Sequence, residues 1–246
     1  MIGTDGTCQI LYYDRIFSHF VMICLCTLMC ACAAWLLRWY CCRRYPDFNE
    51  CDSVTQLYAC KNMIKSAILF LLIPPSLIIL WNGIVHSIWE RQMIVLCGIL
   101  YASTDMSGIF LIRQRLHVST RIHHACVFIF IICILILDEN RCIWIHPLVY
   151  YGAACSFTFL VNFYLGYRFL FSKKSLKENS RKFKDIVTVS FYVYTVVLTF
   201  IWIIQYGYIL FIYKYSMDIT ALPYIILSHF ILIDDVILLK HLSKVK

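Results

Sequence analysis

The stretch IFSHFVMICLCTLMCACAAWLLRWY, residues 16–40, decides the fold class. It contains Arg38 near its end and no Asp, Glu or Lys. A bilayer core about 30 Å thick is crossed by about 20 apolar residues in a helix that rises about 1.5 Å per residue. The run is therefore a membrane span. Working outward, comparable runs are read at Met63–Ile84, Met93–Ile112, Ile122–Leu137, Ile143–Phe171, Ile186–Tyr213 and Ile219–Lys240. The alternative way to span a bilayer is a closed β-barrel, and these runs lack its period-two alternation. The expected fold is an all-α integral membrane protein with seven transmembrane helices.

Composition agrees. Hydrophobic residues make up 61% of the chain, mean hydropathy is +0.75, and charged residues are 15%, against roughly 25% in soluble domains. Residues 1–15 lack a basic n-region and a small-residue cleavage site, so the first span is expected to remain as an anchor. Two segments are expected: residues 1–56, with the first span and a basic loop, and 57–246, a six-helix membrane domain.

Basic residues set the orientation. Eighteen of the 22 Lys and Arg fall on one side of the seven-span arrangement, among them Arg43, Arg44, Lys61, Lys65, Arg113, Arg115 and Lys177. Arg15, Arg91, Arg141 and Lys214 fall on the other. The positive-inside rule puts the rich side in the cytosol, with the N-terminus outside or lumenal and the C-terminus cytosolic. The net charge of +8 is then explained by orientation and by anionic inner-leaflet lipid. No nucleic-acid partner is expected.

Most of the 14 cysteines lie inside spans, where a thiol acts as a small polarisable hydrophobe. Cys41 and Cys42, beside Arg43 and Arg44, suit palmitoylation. Cys97 and Cys142 fall on the outer side and are candidates for a disulfide.

Ionisable groups at bilayer depth are costly and are functional candidates by default. Asp105 lies in the third span, His123 and His124 open the fourth, and His229 lies in the seventh ahead of Asp234 and Asp235. Asn162 and Gln205 add neutral polar groups. Consecutive histidines point about 100° apart on a helix. The pair is either a general base near neutral pH or an interfacial cap of its helix near Ser119 and Arg121. Asp105 either supports that base or makes an interhelical hydrogen bond beside Thr104 and Ser107. Pro74, Pro75, Pro147 and Pro223 are expected to kink or start helices.

Asp105 within YASTDMSGIFLI (101–112), a basic linker and RIHHACVFIF (121–130) together resemble the TLC (TRAM, LAG1 and CLN8) domain family. In YYGAACSFTFLVNFYLGYRFLF (150–171), Asn162 and Arg168 match the family's non-synthase branches. LYACKNMIKSAI (57–68) is similar to its opening segment through Asn62 and Ser66. Ala67 and Ile68 stand where a His is usual, and FTFLVN (157–162) stands where ceramide synthases carry a second His-Asp cluster. The resemblance implies a TLC-like helical barrel around a lipid-accessible cavity, in the endoplasmic reticulum or a related membrane. It implies that the chain binds, senses or moves membrane lipid, with Asn162, Arg168, Gln205 and His229 as cavity residues. If the chain is an acyltransferase, His123, His124 and Asp105 are catalytic and acyl-CoA is the co-substrate. No cofactor or metal is expected, and a homodimer is admissible.

The competing reading is a heptahelical cell-surface receptor at the plasma membrane. Against it, the third span ends in LIRQRL (111–116) rather than an acidic-Arg-aromatic triplet.

The charge bookkeeping makes a topology prediction. A glycan-acceptor tag at Arg141 should be modified in the lumen and one at Lys177 should not; the reverse pattern inverts the orientation.

Overall fold

The computed structural model describes residues 5–136, 145–171, 180–215 and 222–245, and among them the regular secondary structure is helical, with no strand. Helix α1 is Asp5–Arg44, followed after a helical turn at Pro46–Asn49 by α2 (Ser53–Leu71) and α3 (Ile73–Trp81). Next come α4 (Arg91–Ile112), α5 (Val118–Ile136), α6 (Ile145–Cys155) and α7 (Phe159–Tyr167). The chain ends with α8 (Ser180–Tyr215) and α9 (Leu222–Val245). Five stretches are long and apolar enough to cross a membrane: Ile16–Arg44, Arg91–Ile112, Val118–Ile136, Ile145–Leu170 and Phe183–Phe211. The bent pair α2 and α3 makes a sixth if counted as one span.

Polarity is inverted relative to a water-soluble bundle. Leu36, Leu71, Phe110 and Ile203 are about 70% exposed, whereas Lys61, Lys65, Asp105, His123, His124 and Asp235 are buried. Five apolar helices with such a surface are compatible with an integral membrane protein.

α2 starts ten residues before the expected Met63, because its N-terminus is set by a cap rather than by hydropathy. The Asp52 carboxylate accepts from the Thr55 backbone N–H at 2.9 Å and from the Thr55 hydroxyl, which satisfies donors that the first turn leaves orphaned. These bonds, the hydroxyl's foremost, hold the Asp52 carboxyl below its usual range. A depressed pKa means the cap persists above the ordinary carboxylate range and is lost as pH falls through the lowered value. Lys61 thus joins Lys65 inside a helix, and the charge split of 18 to 4 becomes 16 to 4 when both are left out of the cytosolic count.

One break falls at prolines expected to kink or start helices, and another divides the expected span Ile143–Phe171. The α2–α3 axis bends by 47° at Leu72, just before Pro74 and Pro75, which cannot donate to the preceding turn. Pro147 sits in the first turn of α6. Between α6 and α7 the tighter turn Ser156–Thr158 interrupts the apolar stretch Ile145–Leu170, and Ser66 donates to the Phe159 carbonyl there at 2.9 Å.

α2 packs along α7, and α1 packs on α2 and α4. The α2–α7 approach is close enough that a Cβ on Gly166 would lie 2.5 Å from the Ala59 carbonyl oxygen. Arg38 donates to Gln56 at 2.8 Å, and Gln56 in turn donates to the Cys51 carbonyl at 2.9 Å. That ties the end of α1 to the start of α2. Arg115, in the turn after α4, donates to Thr55. Arg168, after α7, lies 3.2 Å from His241 near the end of α9. At the opposite end Arg91 covers the last carbonyls of α5, donating to Ile134 and Leu135 at 3.1 and 3.2 Å, while Trp89 stacks on His146 at 4.1 Å.

Gly166→Val should therefore separate α2 from α7. Overpacking of this kind costs about 1–3 kcal/mol, so thermal unfolding in detergent should shift down by several degrees. Gly152, whose Cβ would meet nothing within 4 Å, should accept Ala with no such shift.

Candidate functional site

Asp105 is fully buried on α4 and gathers three basic groups. Lys65 donates to its Oδ1, the Lys61 ammonium lies 4.0 Å from the same oxygen, and His124 Nδ1 lies 3.2 Å from it. Lys61 reaches Asp105 across the face of α4 at Gly108, where a Cβ would lie 2.8 Å from Lys61 Cε and 3.0 Å from Nζ. Thr104 and Ser107 are not partners of Asp105. Their hydroxyls donate to the carbonyls of Tyr101 and Thr104, one turn back on the same helix.

The two histidines face different helices. His124 meets Asp105 on α4, while His123 Nδ1 lies 3.3 Å from Asp234 Oδ2 on α9. Because α5 packs against both α4 and α9, side chains about 100° apart each find a carboxylate. Both histidines are buried, more than one residue inside α5, so they do not cap its start. Asp234 is held by the hydroxyls of Ser119 and Thr120, each at 2.8 Å. Asp235 accepts from Tyr194 on α8 at 2.9 Å. Four helices thus place ionisable groups around one point.

That point lines a cavity of about 440 Å³. Its polar part is made by Lys61, Lys65, His123, His124, Asp234 and Asp235, and its apolar part by Val161, Leu165, Leu198 and Ile201. The exposed residues Arg115, His117 and His241, together with Arg168, line it from the end where α4 turns into α5 and α9 finishes. The guanidinium groups of Arg115 and Arg168 lie 5.5 and 4.8 Å from the Phe169 ring.

The remaining candidates separate. Asn162 lines the cavity and Arg168 stands near its rim. Gln205 is buried outside it, donating to the Pro147 carbonyl at 2.8 Å and accepting from Tyr224, which is a packing role between α8, α6 and α9. His229 is exposed and pairs with the Ile225 carbonyl of its own helix at 2.7 Å. Cys41 is buried against Phe48, Cys60 and Leu170, so it is closed to acylation, while Cys42 is half-buried. Cys97 is half-buried, and Cys142 lies outside the described residues. Asp105, His123 and His124 each offer a ligand atom within 4.8 Å of the others.

Lys61 lies just ahead of the expected span Met63–Ile84 and Lys65 just inside it, and both count there with the cytosolic basic residues, so hydropathy does not mark them as buried partners of Asp105. The usable signal was periodicity: Lys61, Lys65 and Asn62 share the face of α2 that also carries Ser66.

Compared with protein-family models, with curated proteins and with solved structures, the chain finds no match.

Removing one partner of a buried ion pair typically costs about 3–5 kcal/mol, because the other charge stays buried without compensation. Asp105→Asn should therefore destabilise the bundle strongly, and adding Lys65→Met should recover part of that loss. A double-mutant cycle by chemical denaturation in micelles measures it; strictly additive losses would show that the pair is not coupled.

Proposed function

We propose that this chain is a seven-span membrane protein whose TLC-like bundle binds, senses or moves a membrane lipid or an acyl-chain amphiphile. The observation that carries this reading is a cavity with two kinds of wall. Apolar residues from α7 and α8 suit an acyl chain, and the buried ionisable cluster on α2, α4, α5 and α9 suits a polar head. Ligand sites commonly combine a mostly apolar lining with a few convergent polar groups.

In this arrangement α1, the α2–α3 pair, α4, α5, α6 with α7, α8 and α9 each cross once. The N-terminus is outside or lumenal and the C-terminus cytosolic, so Arg115, Arg168 and His241 lie at the cytosolic face. Those basic groups suit the phosphate of a lipid head or of acyl-CoA. The endoplasmic reticulum membrane is the compartment that this lipid chemistry favours.

N-acyl transfer of the ceramide synthase type is the enzymatic form of the reading. His124 beside Asp105 and His123 beside Asp234 are two histidine–carboxylate pairs, and Asp234 supplies from α9 a second acid that the segment 157–162 does not. An amine nitrogen attacks the thioester carbonyl; the C–N bond forms and the C–S bond breaks. One imidazole accepts the amine proton and passes it to the departing thiolate.

Lipid mass spectrometry of the purified chain tests the binding reading. An acyl lipid or acyl-CoA should co-purify with the native chain and fall severalfold with Leu198→Trp, which fills the apolar part of the cavity. Recovery no greater than from empty micelles would sink it. In a separate acyl-CoA assay with a sphingoid base, His124→Ala should reduce turnover at least about a hundredfold, as expected for loss of a general base. Absence of turnover in the native chain removes the enzymatic form and leaves the binding form standing.

A further inference from the structure

We propose that Asp105, His123 and His124 form a binding site for one divalent transition-metal ion of the zinc or ferrous class. Two imidazoles and one carboxylate, with further positions open to a cavity, are the donor set those ions take. The inference does not depend on the lipid-binding reading, since it concerns the polar end of the cavity by itself. It is an alternative to the general-base role of His123 and His124, because a metal-bound imidazole has no lone pair to accept a proton.

Three observations carry it. First, the three side chains come from α4 and α5, and their ligand atoms lie within 4.8 Å of one another. Ion-to-ligand distances of about 2.0–2.2 Å would draw such atoms to about 3.4 Å apart, a change within reach of side-chain rotation. Second, one ligand atom lacks a partner. Asp105 Oδ2 is buried and makes no hydrogen bond, while His123 Nδ1 and His124 Nδ1 lie 3.3 and 3.2 Å from carboxylate oxygens of Asp234 and Asp105. A buried polar atom without a partner is costly and calls for an explanation. Lys65 occupies Asp105 Oδ1, which leaves Oδ2 for the ion, so the ammonium and the ion are not rivals for one atom. Third, the surroundings orient the ligands. Asp234 stands 3.3 Å from His123 and is itself anchored by Ser119 and Thr120, the carboxylate-behind-histidine arrangement that fixes imidazole ligands in metal sites.

Lys61 and Lys65 set the charge balance. Two ammonium groups beside Asp105 weaken cation affinity by repulsion, so the site should favour an ion held by nitrogen donors over a hard, oxygen-seeking one such as Mg²⁺ or Ca²⁺. The bound ion would be a Lewis acid facing the cavity, able to polarise a carbonyl or a water.

The test uses the full chain in detergent, stripped with chelator and reloaded with Zn²⁺. The native chain and the remote control His86→Ala should each take up one ion, with nitrogen ligands visible by X-ray absorption. His124→Ala should bind at least tenfold more weakly, and Lys65→Met should bind more tightly than the native chain. Uptake below about a tenth of an ion per chain, or undiminished affinity in a folded His124→Ala, would overturn the proposal. Should His124→Ala fail to fold, the absorption spectrum of the Zn²⁺-loaded native chain decides alone, an all-oxygen shell refuting the site. Acyl lipid is measured in the same preparations. Lipid without metal defeats this inference and spares the lipid reading; metal without lipid does the opposite.

Discussion

The contact between Lys65 and Asp105 is the constraint on which the rest of the bundle depends. A carboxylate with no exposure to solvent must be compensated locally, because its desolvation penalty is several kcal/mol and grows if it stands alone. Lys65 and Lys61 reach it from α2, and His124 from α5. These contacts fix how α2, α4 and α5 are rotated about their own axes. Gly108 belongs to the same constraint: any side chain there would meet the Lys61 stem. In an apolar surrounding, where helices gain little from burying Leu against Leu, such polar contacts and close small-residue crossings supply the specificity of packing.

Around that centre the protein is built outside-in relative to a soluble bundle. Phe110 faces outward from α4 while Asp105 faces inward from the same helix. One broken element lies beside the cavity: the tight turn at Ser156–Thr158, whose Thr158 lines it. The α6–α7 break is satisfied in part by Ser66. This is the condition under which irregular backbone is tolerated away from water. The α6–α7 turn and the cavity wall are therefore parts of one arrangement.

Legibility was uneven, and for physical reasons. Asp105, His123 and His124 stood out because an ionisable group amid apolar residues has few roles other than pairing or chemistry. Lys61 and Lys65 did not, since hydropathy reads a lysine at the edge of an apolar run as a cytosolic flanking charge. Gln205 and His229 looked equivalent by the same criterion, yet one bridges Pro147 and Tyr224 and the other folds back on its own helix. Cys41 and Cys42 sit side by side in sequence, but the turn at Phe48 buries the first and not the second as fully.

Hydropathy and length alone determined that the chain is helical and apolar enough to cross a membrane, because a helix satisfies its own backbone and needs no partner for that. They also marked the residues too costly to leave unpaired. Which of those residues meet was decided by the tertiary structure. Asp234 is separated from His123 by more than a hundred residues, and Lys65 from Asp105 by forty, so no local period could relate them. Only the packing of α9 and α4 against α5, and of α2 against α4, turned single polar positions into one site.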